Sequence, residues 1–100
     1  MRRVILTSRA DAEFMRAIHH YNAKSPGLGD RFRDSIFKVF DRIAQQPEAF
    51  PRILPEIRRA LIRVFPFVVH FLTDEHKIVI LSVFHTSRDP GTLKSRGIKL

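Results

Sequence analysis

One hundred residues, 44% of them apolar and nine of them phenylalanine, suit one compact domain with a real core and exclude a disordered chain or a second domain. The absence of cysteine excludes a disulfide framework and thiolate metal sites, and a small domain without such staples is at home in a reducing cytoplasm. The formal charge of +8, from 18 Lys+Arg against 10 Asp+Glu, points to nucleic acid, a ribosome or an acidic protein as partner.

The chain opens on Met1-Arg2-Arg3 and a short apolar run that Thr7, Ser8, Arg9 and Asp11 interrupt, so neither a secretion signal nor a membrane span is indicated. Arg2 to Thr7 reads as a short strand. Ser8 and Asp11 are spaced as a capping box with Asp in place of Glu, and Ala10, Phe14, Ala17, Ile18 and Tyr21 then recur at helical spacing up to about Lys24. Ser25-Pro26-Gly27 breaks this helix. A second begins around Leu28 to Asp30, carries Phe32, Ile36, Val39, Phe40 and Ile43 on one face, and stops at Pro47. Phe37 falls off that stripe. So short a connection predicts an antiparallel helical hairpin.

Residues 47–55 contain three prolines, each fixing φ and removing a donor, which predicts an ordered extended loop without a regular element. Three strands are predicted after it: Glu56 to Arg63, Val64 or Phe65 to Thr73, and Lys77 to Phe84, with Thr73 to His76 as the turn between the last two. The order β-α-α-β-β-β, with its last strands in tight succession, predicts an α+β domain in which an antiparallel sheet packs against the helical hairpin.

Polar chemistry concentrates late in the chain. After Pro51 there are nine Lys/Arg against four Asp/Glu, compared with nine against six up to Pro51. Arg59 and Arg63 share one face of their strand by parity and Arg58 takes the other. They form either a solvated outer strand that discourages edge association or, with Arg58 or Arg59 beside the C-terminal cations, an anion-binding surface. His85 and Arg88 follow the apolar run Ile78 to Phe84 directly. One reading has His85 capping the sheet and Arg88 pairing with Asp89 or holding the C-terminal tail. The other makes His85 a proton-transfer group or polar contact and Arg88, Lys94 and Arg96 clamps for phosphate or carboxylate. His19 and His20 are adjacent on a helix and read as solvated; His70, among Val and Phe, reads as a hydrogen-bonded sheet residue. No His/Asp/Glu cluster has metal-ligand spacing and no Gly-rich phosphate loop occurs, so neither metal nor cofactor is indicated.

Ile57-Arg58-Arg59, Phe65-Pro66-Phe67-Val68-Val69-His70-Phe71, Ile78 to Val83, and His85-x-x-Arg88-Asp89-Pro90 with Arg96 downstream resemble, in order and spacing, the RelE/ParE superfamily of bacterial type II toxins. The resemblance covers nearly the whole chain. It implies the same β-α-α-β-β-β fold, a cytoplasmic toxin that inhibits growth, and a cognate antitoxin wrapping it, with operator DNA contacted only through that antitoxin. Superfamily members either cleave mRNA on the ribosome or poison DNA gyrase. RelE-type nucleases resemble one another in a basic residue on the strand occupied here by Phe65 to Phe71, where this chain has Phe67, and in a Tyr or His acid/base near the C-terminus. Tyr21, the one tyrosine, is expected far from that edge. ParE-like toxins share with this chain an Arg-bearing strand, a following apolar strand with Pro at its start, and a His after the last strand. The resemblance therefore leans toward a gyrase poison, with a ribosome-dependent mRNA endoribonuclease as the alternative; His85, Arg88 and Arg59 would be catalytic in the nuclease and part of the toxicity surface otherwise, and Arg58, Arg63, Lys94 and Arg96 would bind the target on either reading.

Overall fold

The computed structural model describes residues 2–88. It begins with strand β1, Arg3–Leu6, whose end is turned into a helix by Thr7. The backbone of Thr7 is extended and its hydroxyl accepts the N–H of Ala10 at 3.1 Å, so Thr7 caps the helix where the spacing suggested Ser8. Ser8 is instead the first residue of α1, Ser8–Lys24, and Asp11 sits in the first turn, where a negative charge complements the helix dipole. Helix α2, Leu28–Gln45, follows a turn in which Gly27 takes φ of 87°, a left-handed conformation that costs residues with a Cβ. Gly27 has no side chain to cap α2. That task passes to α1, whose Asn22 Oδ1 accepts the N–H of Gly29 at 2.7 Å.

Pro47–Ala49 forms a single 3-10 turn, and the proline-rich segment then holds a strand the sequence did not predict, β2, Arg52–Leu54. Prolines 51 and 55 bracket β2 without entering it, and its place at the sheet edge leaves one side needing no partner. β3, Ile57–Leu61, is shorter than expected and leaves Arg63 off the strand. β4, Phe67–Thr73, and β5, Lys77–His85, form a long hairpin, so His85 is the last residue of the strand and not the first beyond it.

The five strands lie in the order β1-β5-β4-β3-β2. The expected antiparallel pairing holds from β2 to β5, whereas β1 joins β5 in parallel, Leu6 opposite Ile80. The α+β expectation stands, with a mixed sheet of five strands. One sheet face meets the helices: Phe14 and Ala17 of α1 and Phe32, Ile36, Val39, Phe40 and Ile43 of α2 pack against Ala60, Phe67, Val69, Phe71, Ile78, Ile80 and Val83. Phe32, on the predicted stripe, is fully buried, and Phe37, off it, is 48% exposed.

The β4-β5 turn is held by one carboxylate. Asp74 Oδ1 accepts the backbone N–H groups of His76 and Lys77, each at 2.8 Å. The N–H of His76, then that of Lys77, holds the Asp74 pKa below the ordinary carboxylate value. A depressed carboxyl stabilises the fold above its unfolded pKa and loses that contribution as pH falls through its folded value. In an NMR titration the Asp74 carboxyl should therefore titrate below the ordinary carboxylate value, with the His76 and Lys77 amides shifting at the same midpoint. An ordinary midpoint would contradict this account of the turn.

Candidate functional site

A bulge in β5 shapes the upper end of the sheet. His70 faces Ser82 but Phe71 faces Ile80, so Leu81 is the extra residue and the side-chain alternation reverses there. Val83 and His85 therefore turn toward the helices, and Phe67, opposite His85, does the same. β1 ends at Leu6, opposite Ile80, leaving the upper part of β5 without a strand neighbour on that side. Glu13 of α1 fills part of the gap, its Oε1 accepting the N–H of Val83 at 3.0 Å.

α1 and this end of the sheet enclose a cleft of about 540 Å³. Arg16, His20 and Lys24 line it from α1, Phe67 from the start of β4 with Pro66 just before it, and His85, Ser87 and Arg88 from the end of β5 and the 3-10 turn Thr86–Arg88. Tyr21 and Ala17 complete its floor. The turn is anchored by Thr86, whose N–H donates to the Pro66 carbonyl at 2.8 Å. Burial raises the Tyr21 pKa, so its phenol stays neutral and is no base at physiological pH.

Two hydrogen bonds converge on one ring nitrogen of His85. The backbone N–H of Ser87 donates to His85 Nδ1 at 3.1 Å, and Ser87 Oγ lies 2.9 Å from the same nitrogen. Nδ1 is thus an acceptor, and the neutral ring carries its proton on Nε2. The imidazole offers a donor at Nε2 and no lone pair there. Its ring also packs edge-on to Phe67, with centroids 5.6 Å apart.

Apart from Arg9 with Glu13, the surface ion pairs lie away from the cleft: Arg33 with Asp30 and Asp34, Lys77 with Asp74, and Arg2 with Glu48. Arg16, Lys24 and Arg88 are exposed and have no carboxylate partner among the described residues. Glu13, the one acid in the lining, is occupied by Val83 and by Arg9 Nε at 3.4 Å. The cleft is consequently cationic above an aromatic floor, suited to an anionic ligand. Among the described residues no three His, Asp or Glu side chains gather to hold a metal ion.

Of the residues singled out in the sequence, His85 and Arg88 share this cleft and the strand arginines do not line it. Arg58 Nη1 donates to the Phe50 carbonyl at 2.6 Å, and its register opposite Phe71 puts it about 13 Å along the sheet from the His85 level. Arg59 pairs in register with His70 on the face turned away from the helices. Arg63 is exposed in the β3-β4 connection, at the same end of the sheet as His85. Lys94 and Arg96, like the Asp89 considered as a partner for Arg88, lie outside the described residues.

Tyr21 corrects the sequence reading. It was expected far from the C-terminal edge, but α1 runs back over β5 and sets the Tyr21 ring 6.0 Å from that of Phe67, the neighbour of His85. Glu13, Arg16 and Lys24 were missed altogether. The four-residue spacing of Arg16, His20 and Lys24 was visible as a cationic stripe, but its partner surface was not. His20 is exposed as expected, at the rim of the cleft.

Comparison with known proteins bears on what this surface serves. A solved structure described as "Chromosomal ParDE TA system from P. aeruginosa" superposes with a TM-score of 0.74 at 20% identity, covering 85% of this chain and 96% of that one, which is a likeness of fold. No curated protein matches the chain. The family model for the ParE toxin of the type II toxin-antitoxin system parDE matches residues 4–90. By that match, which spans the helical hairpin, the sheet and the cleft between them, the chain belongs to the ParE toxin family of type II toxin-antitoxin systems.

Proposed function

We propose that this toxin inhibits growth by binding DNA gyrase and poisoning it, without performing chemistry of its own. The observation that carries the reading is the hydrogen bond from the Ser87 N–H to His85 Nδ1: it occupies that lone pair and assigns the neutral ring's proton to Nε2, whereas removing a proton from a ribose hydroxyl needs an open nitrogen lone pair. Phe67 supports it, since the residue at the position of the nuclease cation is buried against Phe32 at a ring distance of 4.8 Å. Family membership supplies the partner that restrains the toxin, a cognate antitoxin. Operator DNA is contacted through that antitoxin. The site of action is the cytoplasm, and no helix among the described residues is long and apolar enough to cross a membrane.

One observation favours the alternative, a ribosome-dependent mRNA endoribonuclease: Tyr21, His85, Arg16 and Arg88 line one cleft and could surround a scissile phosphate. His85→Ala separates the two readings. Deleting one hydrogen-bond donor from a binding surface costs about 1 kcal/mol, so growth inhibition should weaken by about tenfold or less in an induction titration. Complete loss of toxicity in a variant that still folds and still binds its antitoxin would overturn the binding mechanism.

A further inference from the structure

The cleft has a feature that a general basic surface lacks. Arg16, His20 and Lys24 stand four residues apart on one helix, hence about 6 Å apart along its axis, facing His85, Ser87 and Arg88 on the opposite wall. The side chains free to act at its rim are mostly donors: two guanidinium groups, an ammonium and the Nε2–H of His85, while the Ser87 hydroxyl is turned to His85 Nδ1. Glu13, the one carboxylate, has both oxygens engaged. Beneath them lie rings, with Tyr21 packed on Phe67 and His20 edge-on to Tyr21 at 5.5 Å.

A ligand for this lining must bring acceptors at regular intervals and flat apolar groups, and need few acceptors in return. An acidic peptide can meet the cations but, without aromatic side chains, leaves the rings beneath them uncovered. A phosphodiester strand with unpaired bases fits on each count: phosphates repeat along it, arginine forks match them, and its bases stack on aromatic and imidazole rings. We infer that the cleft between α1 and the end of β5 is a binding site for single-stranded nucleic acid, held by Arg16, Lys24 and Arg88 with His85 donating from Nε2. The inference rests on the reading of this chain as a toxin that acts by binding, and adds a direct contact with the nucleic acid present at its target.

The test uses the full-length toxin alone, so that it stands or falls separately from the gyrase assignment. A fluorescein-labelled oligothymidylate of about eight nucleotides is titrated by anisotropy, with oligouridylate of the same length in parallel to distinguish DNA from RNA. Saturable binding of either strand is expected. Arg16→Ala, Lys24→Ala and Arg88→Ala should each weaken it on the order of fivefold and lower the salt slope by about 0.7 for each phosphate no longer neutralised. Lys38→Ala removes the same charge from the exposed surface of α2 and should change affinity less than twofold. Far-ultraviolet circular dichroism of each variant reports that the fold is retained. An equal weakening by Lys38→Ala would reduce the binding to diffuse attraction and overturn the site. So would the absence of saturable binding, or displacement of the strand by an octaglutamate peptide at equal or lower concentration, which would reassign the cleft to acidic protein.

Discussion

Gly29→Ala is expected to destabilise the toxin by about 3 kcal/mol, although helix propensity alone predicts a gain of about 1 kcal/mol. Gly29 lies in the first turn of α2 where it crosses α1, and a Cβ there would overlap the Ile18 carbonyl oxygen and come within 2.6 Å of Asn22 Cγ. The carbonyl belongs to the α1 backbone and cannot rotate away. Asn22 could turn aside only by releasing its hydrogen bond to the Gly29 N–H, the side-chain cap of α2. Relief therefore requires the two helices to separate at the level of Tyr21, whose ring floors the cleft. Urea unfolding should show a lowered midpoint with an unchanged slope. A midpoint equal to or above that of the parent protein would mean that propensity outweighs the close approach.

Phe32→Ala should cost about 4 kcal/mol, near the top of the range for a buried aromatic. Phe32 is fully buried, and its ring lies 4.8 Å from Phe67, 5.2 Å from both Tyr21 and Phe65, and 6.1 Å from Phe14. No single neighbour can close the void, because these rings come from α1, the β3-β4 connection and β4, which are each anchored elsewhere. In a domain whose whole stability is on the order of 5–15 kcal/mol, that loss approaches unfolding. Two of the neighbours, Tyr21 and Phe67, also line the cleft, so toxicity should fall with stability. Phe37→Ala is the control on the same helix: 48% exposed, it should cost about 1 kcal/mol. Thermal melts of the pair report the difference, and similar melting temperatures would contradict this account of the core.

Both predictions concern the helical hairpin, which was readable in the sequence because its apolar residues recur at one period and a short Ser-Pro-Gly break forces the reversal. The β4-β5 hairpin was readable for similar reasons, its turn marked by Asp74. β2 was not, since three residues carry no periodicity and the prolines on either side of it signal a loop. The parallel pairing of β1 was hidden for another reason: Leu6 meets Ile80 from the opposite end of the chain, and no local pattern encodes that register. His85 and Arg88 could be picked out as a polar group leaving an apolar strand. Their partners could not, because whether Tyr21, Arg16 and Lys24 face them depends on the path of α1 over β5. For the arginines of β3, parity identified their faces, while the contact that takes Arg58 to the Phe50 carbonyl depends on a residue outside the strand.

The binding mechanism is tested most directly by parallel assays with the purified toxin, one on gyrase and one on translating ribosomes. With gyrase and plasmid, the account predicts inhibited supercoiling and trapped double-strand breaks, both relieved by adding the antitoxin. With ribosomes and a messenger RNA, it predicts intact transcripts. Transcripts cut in the ribosomal assay, with supercoiling unaffected, would contradict it and make His85 and Tyr21 members of a nuclease site.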